Sequence, residues 1–113
     1  MEEGPDGGER RARVRHRTLL AGKIIVADGY ISADCTILDL SDSRARGRIP
    51  GSVILPPPLG LLIVRDGVFY DAAIAWRRAD HTGLVFNARH DLRTDEDPGR
   101  RGARAIWRES APR

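Results

Sequence analysis

Five arginines fall within eight residues, at Arg10, Arg11, Arg13, Arg15 and Arg17, and a polar run follows at Asp39-Leu-Ser-Asp-Ser-Arg-Ala-Arg46. A guanidinium is a planar fork of donors that matches two phosphate oxygens or the acceptor edge of a purine. Asp39 and Ser41 offer the complementary half, an ionised acceptor and a hydroxyl that both donates and accepts. In an extended segment residues two apart share a face, so the two side chains are expected side by side. Together the clusters suggest nucleotide recognition, with the arginines on phosphate and the Asp-x-Ser pair reading a base. Each feature alone has a plainer explanation. Asp and Ser commonly bond nearby amides and start turns, and a charge run is usually a solvated tail. The arrangement favours the ligand reading, because the arginine run abuts a strand start and the Asp-x-Ser pair ends the next strand.

The elements that must position these residues read as short strands. Residues 1–9 are acidic and glycine-rich, and are expected to be a mobile head; residues 10–18 form the arginine arm. Leu19 to Ala27 reads as a strand with Ile24, Ile25 and Val26, and Asp28-Gly29 is a two-residue hairpin signal. The return strand runs from Ile31 to Leu40, and neither of its faces is cleanly apolar, which a bulge or burial of both faces would explain. Asp42 to Arg48 reads as a polar loop before a short strand near Ile49, and Gly51 to Pro58 as an irregular connection. Leu59–Val64 and Val68–Arg77 form a hairpin around Arg65-Asp66-Gly67. In its second strand Val68, Tyr70, Ala72, Ile74 and Trp76 alternate with period two, which makes Trp76 a core residue. Ala79 to Thr82 turns into a last strand at Gly83–Asn87. Six short strands with turn residues between them predict an all-β fold, a small antiparallel β-barrel spanning residues 10–90. From Ala88 order is expected to fade into a charged tail, residues 91–113, in which Arg101 to Ser110 could make a short helix docked through Ala103, Ile106 and Trp107.

The order and spacing of these motifs resemble the PilZ domain, the bacterial cyclic di-GMP receptor module. Arg11-Ala-Arg-Val-Arg15 matches the family's R-x-x-x-R motif before the first strand, and Arg13 to Arg17 fits the same spacing. The first frame is preferred because family members commonly carry another arginine two residues further on, where Arg17 stands. Asp39-Leu-Ser41 matches the start of (D/N)-x-S-x-x-G, and Ile74-Ala-Trp76-Arg77 with Gly83-Leu-Val-Phe86 resembles the closing hairpin. The chain departs from the pattern at Arg44, which stands where the family has glycine. A glycine there commonly serves a positive φ or a close ligand approach. Arg44 would therefore damage the site, swing outward to add a phosphate contact, or leave the turn to Gly47. The resemblance implies a six-stranded barrel whose arm orders on cyclic di-GMP and signals to an effector protein. Arg11 and Arg15 would take phosphate and the O6 and N7 acceptors of guanine, Asp39 the Watson-Crick donors, and Ser41 would complete the cup.

Composition bounds the alternatives. The chain has 113 residues, 41% hydrophobic and 31% charged, enough for one small core. Its net charge is +3, and all but Lys23 of its 19 basic residues are arginine. The single cysteine, Cys35, excludes an intrachain disulfide and reads as a small buried strand residue. No apolar run approaches the ~20 residues of a membrane span, and the acidic start lacks a secretory pattern, so a cytoplasmic protein is expected. His16, His81 and His90 are scattered, with no nucleophile and base, carboxylate pair or metal spacing, so neither an enzyme nor a metal protein is expected. Two rivals remain: a degenerate domain acting as a protein-interaction module, and non-specific nucleic-acid binding through the arm with Arg44, Arg46 and Arg48. The acidic head and the lack of stacking aromatics near the arm weigh against the second.

Overall fold

The computed structural model describes residues 16–26 and 31–110, with the backbone alone for 16–18. The head, Arg10 to Arg15 and the Asp28-Gly29 turn lie outside the described residues. Six antiparallel strands close a barrel in the order β1-β2-β3-β6-β5-β4. They are β1 His16–Val26, β2 Ile31–Leu40, β3 Arg44–Arg48, β4 Leu59–Ile63, β5 Val68–Arg78 and β6 His81–Asp91, followed by a 3-10 turn Pro98–Arg100 and the helix α1 Arg101–Ser110. The expected fold class is therefore observed.

The barrel interior is filled by β-branched and aliphatic side chains, among them Ile24, Ile37, Leu61, Ile63 and Leu84. Within this core Tyr70 and Phe86 stack with ring centroids 3.9 Å apart. A second apolar layer lies outside the barrel, where Ile25, Leu62, Val64, Phe69 and Leu92 pack against Ala103, Ile106 and Trp107 of α1. Strand β4 is thus buried on both faces, which accounts for its unbroken apolar sequence. Each large side chain buried in this way contributes about 1.5–3 kcal/mol. That packing supports a ten-residue helix that would be marginal alone.

Three expectations are corrected. Asp42 to Arg48 is not a loop: Arg44–Arg48 is a strand, with Ala45 and Gly47 buried and Arg44 and Arg48 exposed. The inward residues are so small that the period-two signal is faint. Order does not fade after Ala88, because β6 runs to Asp91 and Leu92 is buried beneath the helix. In the charged stretch, Asp95 accepts from Arg100 and Arg104, each at 2.9 Å, and Asp97 caps the 3-10 turn by accepting from Gly99 N at 2.7 Å. The residues expected to break the structure carry its last turn back to the barrel, and Trp107 Nε1 then donates to Val64 O at 3.0 Å. Third, Trp76 is not core. It is 45% exposed.

A bulge explains Trp76. Ile74 pairs with Leu84 and Trp76 with Gly83, leaving Ala75 as an extra residue on β5. Since alternate residues face opposite sides of a sheet, one inserted residue turns everything beyond it to the other face. A second bulge settles the mixed faces of β2. Ile37 pairs with Gly47 and Asp39 with Arg46, so Leu38 is the extra residue and Asp39 does not follow Ile37 into the interior.

Candidate functional site

The two bulges place a row of residues across five strands on the barrel's outer face. Arg17 on β1 is opposite Asp39 on β2, Asp39 opposite Arg46 on β3, Arg46 opposite Gly83 on β6, and Gly83 opposite Trp76 on β5. Adjacent strands lie about 4.8 Å apart, so these positions are immediate neighbours. Gly83 leaves room for the indole to lie across β6; a Cβ there would stand 2.8 Å from Trp76 Cδ1. Asp39, Arg44, Arg46, Ala75, Trp76 and Gly83 line a cleft of about 70 Å³ along this row.

Asp39 is the chemically unusual member. It is 6% exposed, one of two buried polar residues among those described. A carboxylate so far from water requires a charged or hydrogen-bonding partner. Arg46 Nε donates to its Oδ2 at 2.6 Å. The other end of that guanidinium, Nη1, lies 3.3 Å from His81 Nδ1. Arginine has no acceptor, so Nδ1 accepts and the imidazole proton sits on Nε2, which faces Asp80 Oδ1 at 3.8 Å. Among the described side chains none donates to Asp39 Oδ1.

Ser41 serves the turn between β2 and β3. Its Oγ accepts from Arg44 N at 3.2 Å and from Ser43 N at 3.4 Å, while its own amide donates to Arg44 O at 2.9 Å. Asp39 and Ser41 therefore occupy a strand and its adjoining turn, and the hydroxyl is engaged with backbone. Arg44 opens β3 without a left-handed backbone: the positive φ angles among the described residues belong to Ala79 and Gly67. Glycine is not needed at this position, and Arg44 lines the cleft. Gly47 does not replace it in the turn, since it lies within β3 opposite Ile37. Of the expected site residues, Asp39 and Arg44 meet at the cleft, Ser41 closes the turn beside it, and Arg11, Arg13 and Arg15 lie outside the described residues. Arg17, from the second spacing frame, takes the register position facing Asp39.

Sequence reasoning gave Arg46 only to the nucleic-acid reading and His81 no role, missing their link to Asp39, and it turned Trp76 inward. The signal for Arg46 was its place between Ala45 and Gly47, a small-polar-small alternation. For Trp76 the signal was a glycine in the facing strand.

Elsewhere, burial and the Asp34 charge push the Cys35 thiol up to about 12, with Lys23 pulling the other way. Among the described residues no three His, Cys, Asp or Glu side chains gather where a metal ion could sit, and no helix is long and apolar enough to cross a membrane. No protein-family model and no curated protein matches the sequence.

Proposed function

We propose that this chain is a PilZ-like receptor domain that binds cyclic di-GMP at the Asp39 cleft and signals to an effector protein in the cytoplasm, with no catalytic step of its own. The observation that carries the reading is Asp39: a buried carboxylate lining a cleft, with one oxygen receiving no bond from a described side chain, directly across from the strand residue that ends the arginine arm. A guanine presents N–H donors that such an oxygen accepts, and the arm brings guanidinium groups for its phosphates. Trp76, half exposed beside the cleft, offers a ring on which a base can stack. Binding would order the arm over the barrel and change the surface seen by the partner.

Calorimetric titration with cyclic di-GMP at moderate salt tests this, with a linear guanine nucleotide as control. Saturable binding to the wild type is expected, and loss of it in Arg15→Ala and Asp39→Ala. Unchanged affinity in both variants removes the site. A wild type that neither binds the ligand nor gains melting temperature in its presence points instead to a protein-interaction module. The existing Asp39–Arg46 bond is the observation favouring that second reading.

A further inference from the structure

Arg46 is not one of the motif residues, yet its pairing with Asp39 governs what the cleft can present. Arg46 is anchored at both ends, with Nε on Asp39 Oδ2 at 2.6 Å and Nη1 on His81 Nδ1 at 3.3 Å. A guanidinium is planar and rigid, so fixing two of its nitrogens fixes its plane and with it the carboxylate it holds. The two partners are unequally buried. The Asp39 side chain is 9% exposed and the Arg46 side chain 37%, so the carboxylate is the member that depends on the pair. Arg46 faces Asp39 from the neighbouring strand, and its bond falls on Oδ2 rather than straddling both oxygens. A straddling bidentate arginine would occupy both carboxylate oxygens; this geometry leaves Oδ1 without a donor among the described side chains, on a residue that lines the cleft.

We infer that Arg46 is a positioning residue for ligand recognition: by gripping Oδ2 it orients the Asp39 carboxylate so that Oδ1 accepts an N–H from the ligand's base. The inference rests on reading the cleft as the site of a guanine dinucleotide. It assigns Arg46 an effect exerted through Asp39, not a ligand contact of its own. The matching ligand chemistry is an amide or amino donor edge, as guanine has. A purine carrying an acceptor at the corresponding ring position would set lone pair against lone pair.

A double-mutant cycle separates action through Asp39 from direct contact. Cyclic di-GMP is titrated calorimetrically into the full chain as wild type, Asp39→Asn, Arg46→Gln and the double variant. Loss of a charged hydrogen bond in Asp39→Asn is expected to weaken binding at least about tenfold. Arg46→Gln should also weaken it about tenfold. The double variant should bind no more than about threefold worse than Asp39→Asn alone, because Arg46 has no carboxylate left to orient. A double variant in which the two losses multiply shows that Arg46 contacts the ligand itself and overturns the inference. An Arg46→Gln variant with lowered melting temperature but wild-type affinity overturns it too, leaving only a structural pair. If Arg46→Gln fails to fold, Arg46→Lys, which keeps the charge but cannot reach both Asp39 and His81 as a fork, takes its place under the same criteria. Absence of binding by the wild type removes the parent reading and this inference with it. Wild-type binding with a multiplicative cycle removes this inference alone.

Discussion

Gly60 and Gly83 each lie beneath an aromatic ring, and the structure separates their fates on substitution. A Cβ on Gly60 would stand 2.6 Å from Phe69 Cε1, and one on Gly83 would stand 2.8 Å from Trp76 Cδ1. Both are closer than carbon atoms pack, so in Gly60→Ala and Gly83→Ala the ring must move. The difference is what lies above it. Phe69 is 7% exposed and belongs to the layer that holds Ala103 of α1, so its ring has the sheet below and the helix above. Trp76 is 45% exposed and can rotate toward water. A cavity of about 140 Å³ lined by Gly60, Phe69 and Ala103 gives that ring some room, but overpacking a buried layer still costs about 1–3 kcal/mol. Replacing glycine stabilises by about 0.4–1 kcal/mol through the unfolded chain. The net for Gly60→Ala is therefore a loss of roughly 1–2 kcal/mol, or a fall in Tm of about 5–15 °C for a domain of this size. Gly83→Ala should stay within about 1 kcal/mol of wild type, while its Trp76 becomes more accessible to acrylamide quenching. Thermal unfolding by circular dichroism measures the first quantity, and quenching measures the second. Equal destabilisation by the two substitutions would refute the argument, as would a Gly60→Ala chain as stable as the wild type.

Acid should loosen the helix through Asp95. The Arg100 hydrogen bond, aided by the charges of Arg100 and Arg104, holds this carboxyl below its ordinary value of 3.8. A group whose pKa is depressed by folding stabilises the native state above its unfolded pKa, and that contribution is lost as pH falls through the folded value. The loss of α1 docking below about pH 4 should then be partly absent in Asp95→Asn, which lacks the contribution at every pH. Superimposable acid titrations of Trp107 fluorescence in the two proteins would contradict this. Cys35 has the opposite sign. Burial raises its thiol from 9.0 to about 12, so this contribution is whole below pH 9.0 and is lost as pH climbs toward 12. At pH 8 an aromatic disulfide reagent should label Cys35 only as fast as the barrel opens, with the rate rising in urea along the unfolding curve; prompt labelling of native protein would show that the thiol is accessible.

The strand count and the barrel were legible because most strands carry large apolar residues at recognisable intervals. Ile31 to Leu40 was bounded correctly, and Leu59 to Val64 was placed as a hairpin strand, which the structure shows buried on both faces. What escaped did so for physical reasons. In β3 the interior positions are Ala45 and Gly47, too small to register as hydrophobic alternation, so with Arg44, Arg46 and Arg48 around them the segment looked like a polar loop. At the C-terminus the helix Arg101–Ser110 and its docking through Ala103, Ile106 and Trp107 were legible, whereas order in the charged stretch before it was not, because the layer that holds it draws on Val64 and Phe69, which no local window contains. The acidic residues there looked like breakers, but Asp95 receives Arg100 and Arg104 across the first turns of the helix.

The candidate site itself depends on departures from regularity. Were Leu38 paired in register rather than bulged, Asp39, two residues beyond Ile37, would face the interior beside it. Were Ala75 likewise in register, Trp76 would follow Ile74 inward in the same way. Each bulge costs a ladder position, and each turns one residue outward onto the row that also carries Arg17 and Arg46. A period-two reading is therefore least accurate at the positions that form the cleft, and it misplaced Trp76 for that reason. The same logic revises the meaning of Arg44. A family glycine suggested a strained turn, whereas the turn here closes through Ser41 Oγ on the amides of Ser43 and Arg44, with ordinary backbone angles at Arg44. Arg44 is then a change in what the cleft contains, a bulky cation at its edge, rather than a defect in how the chain turns.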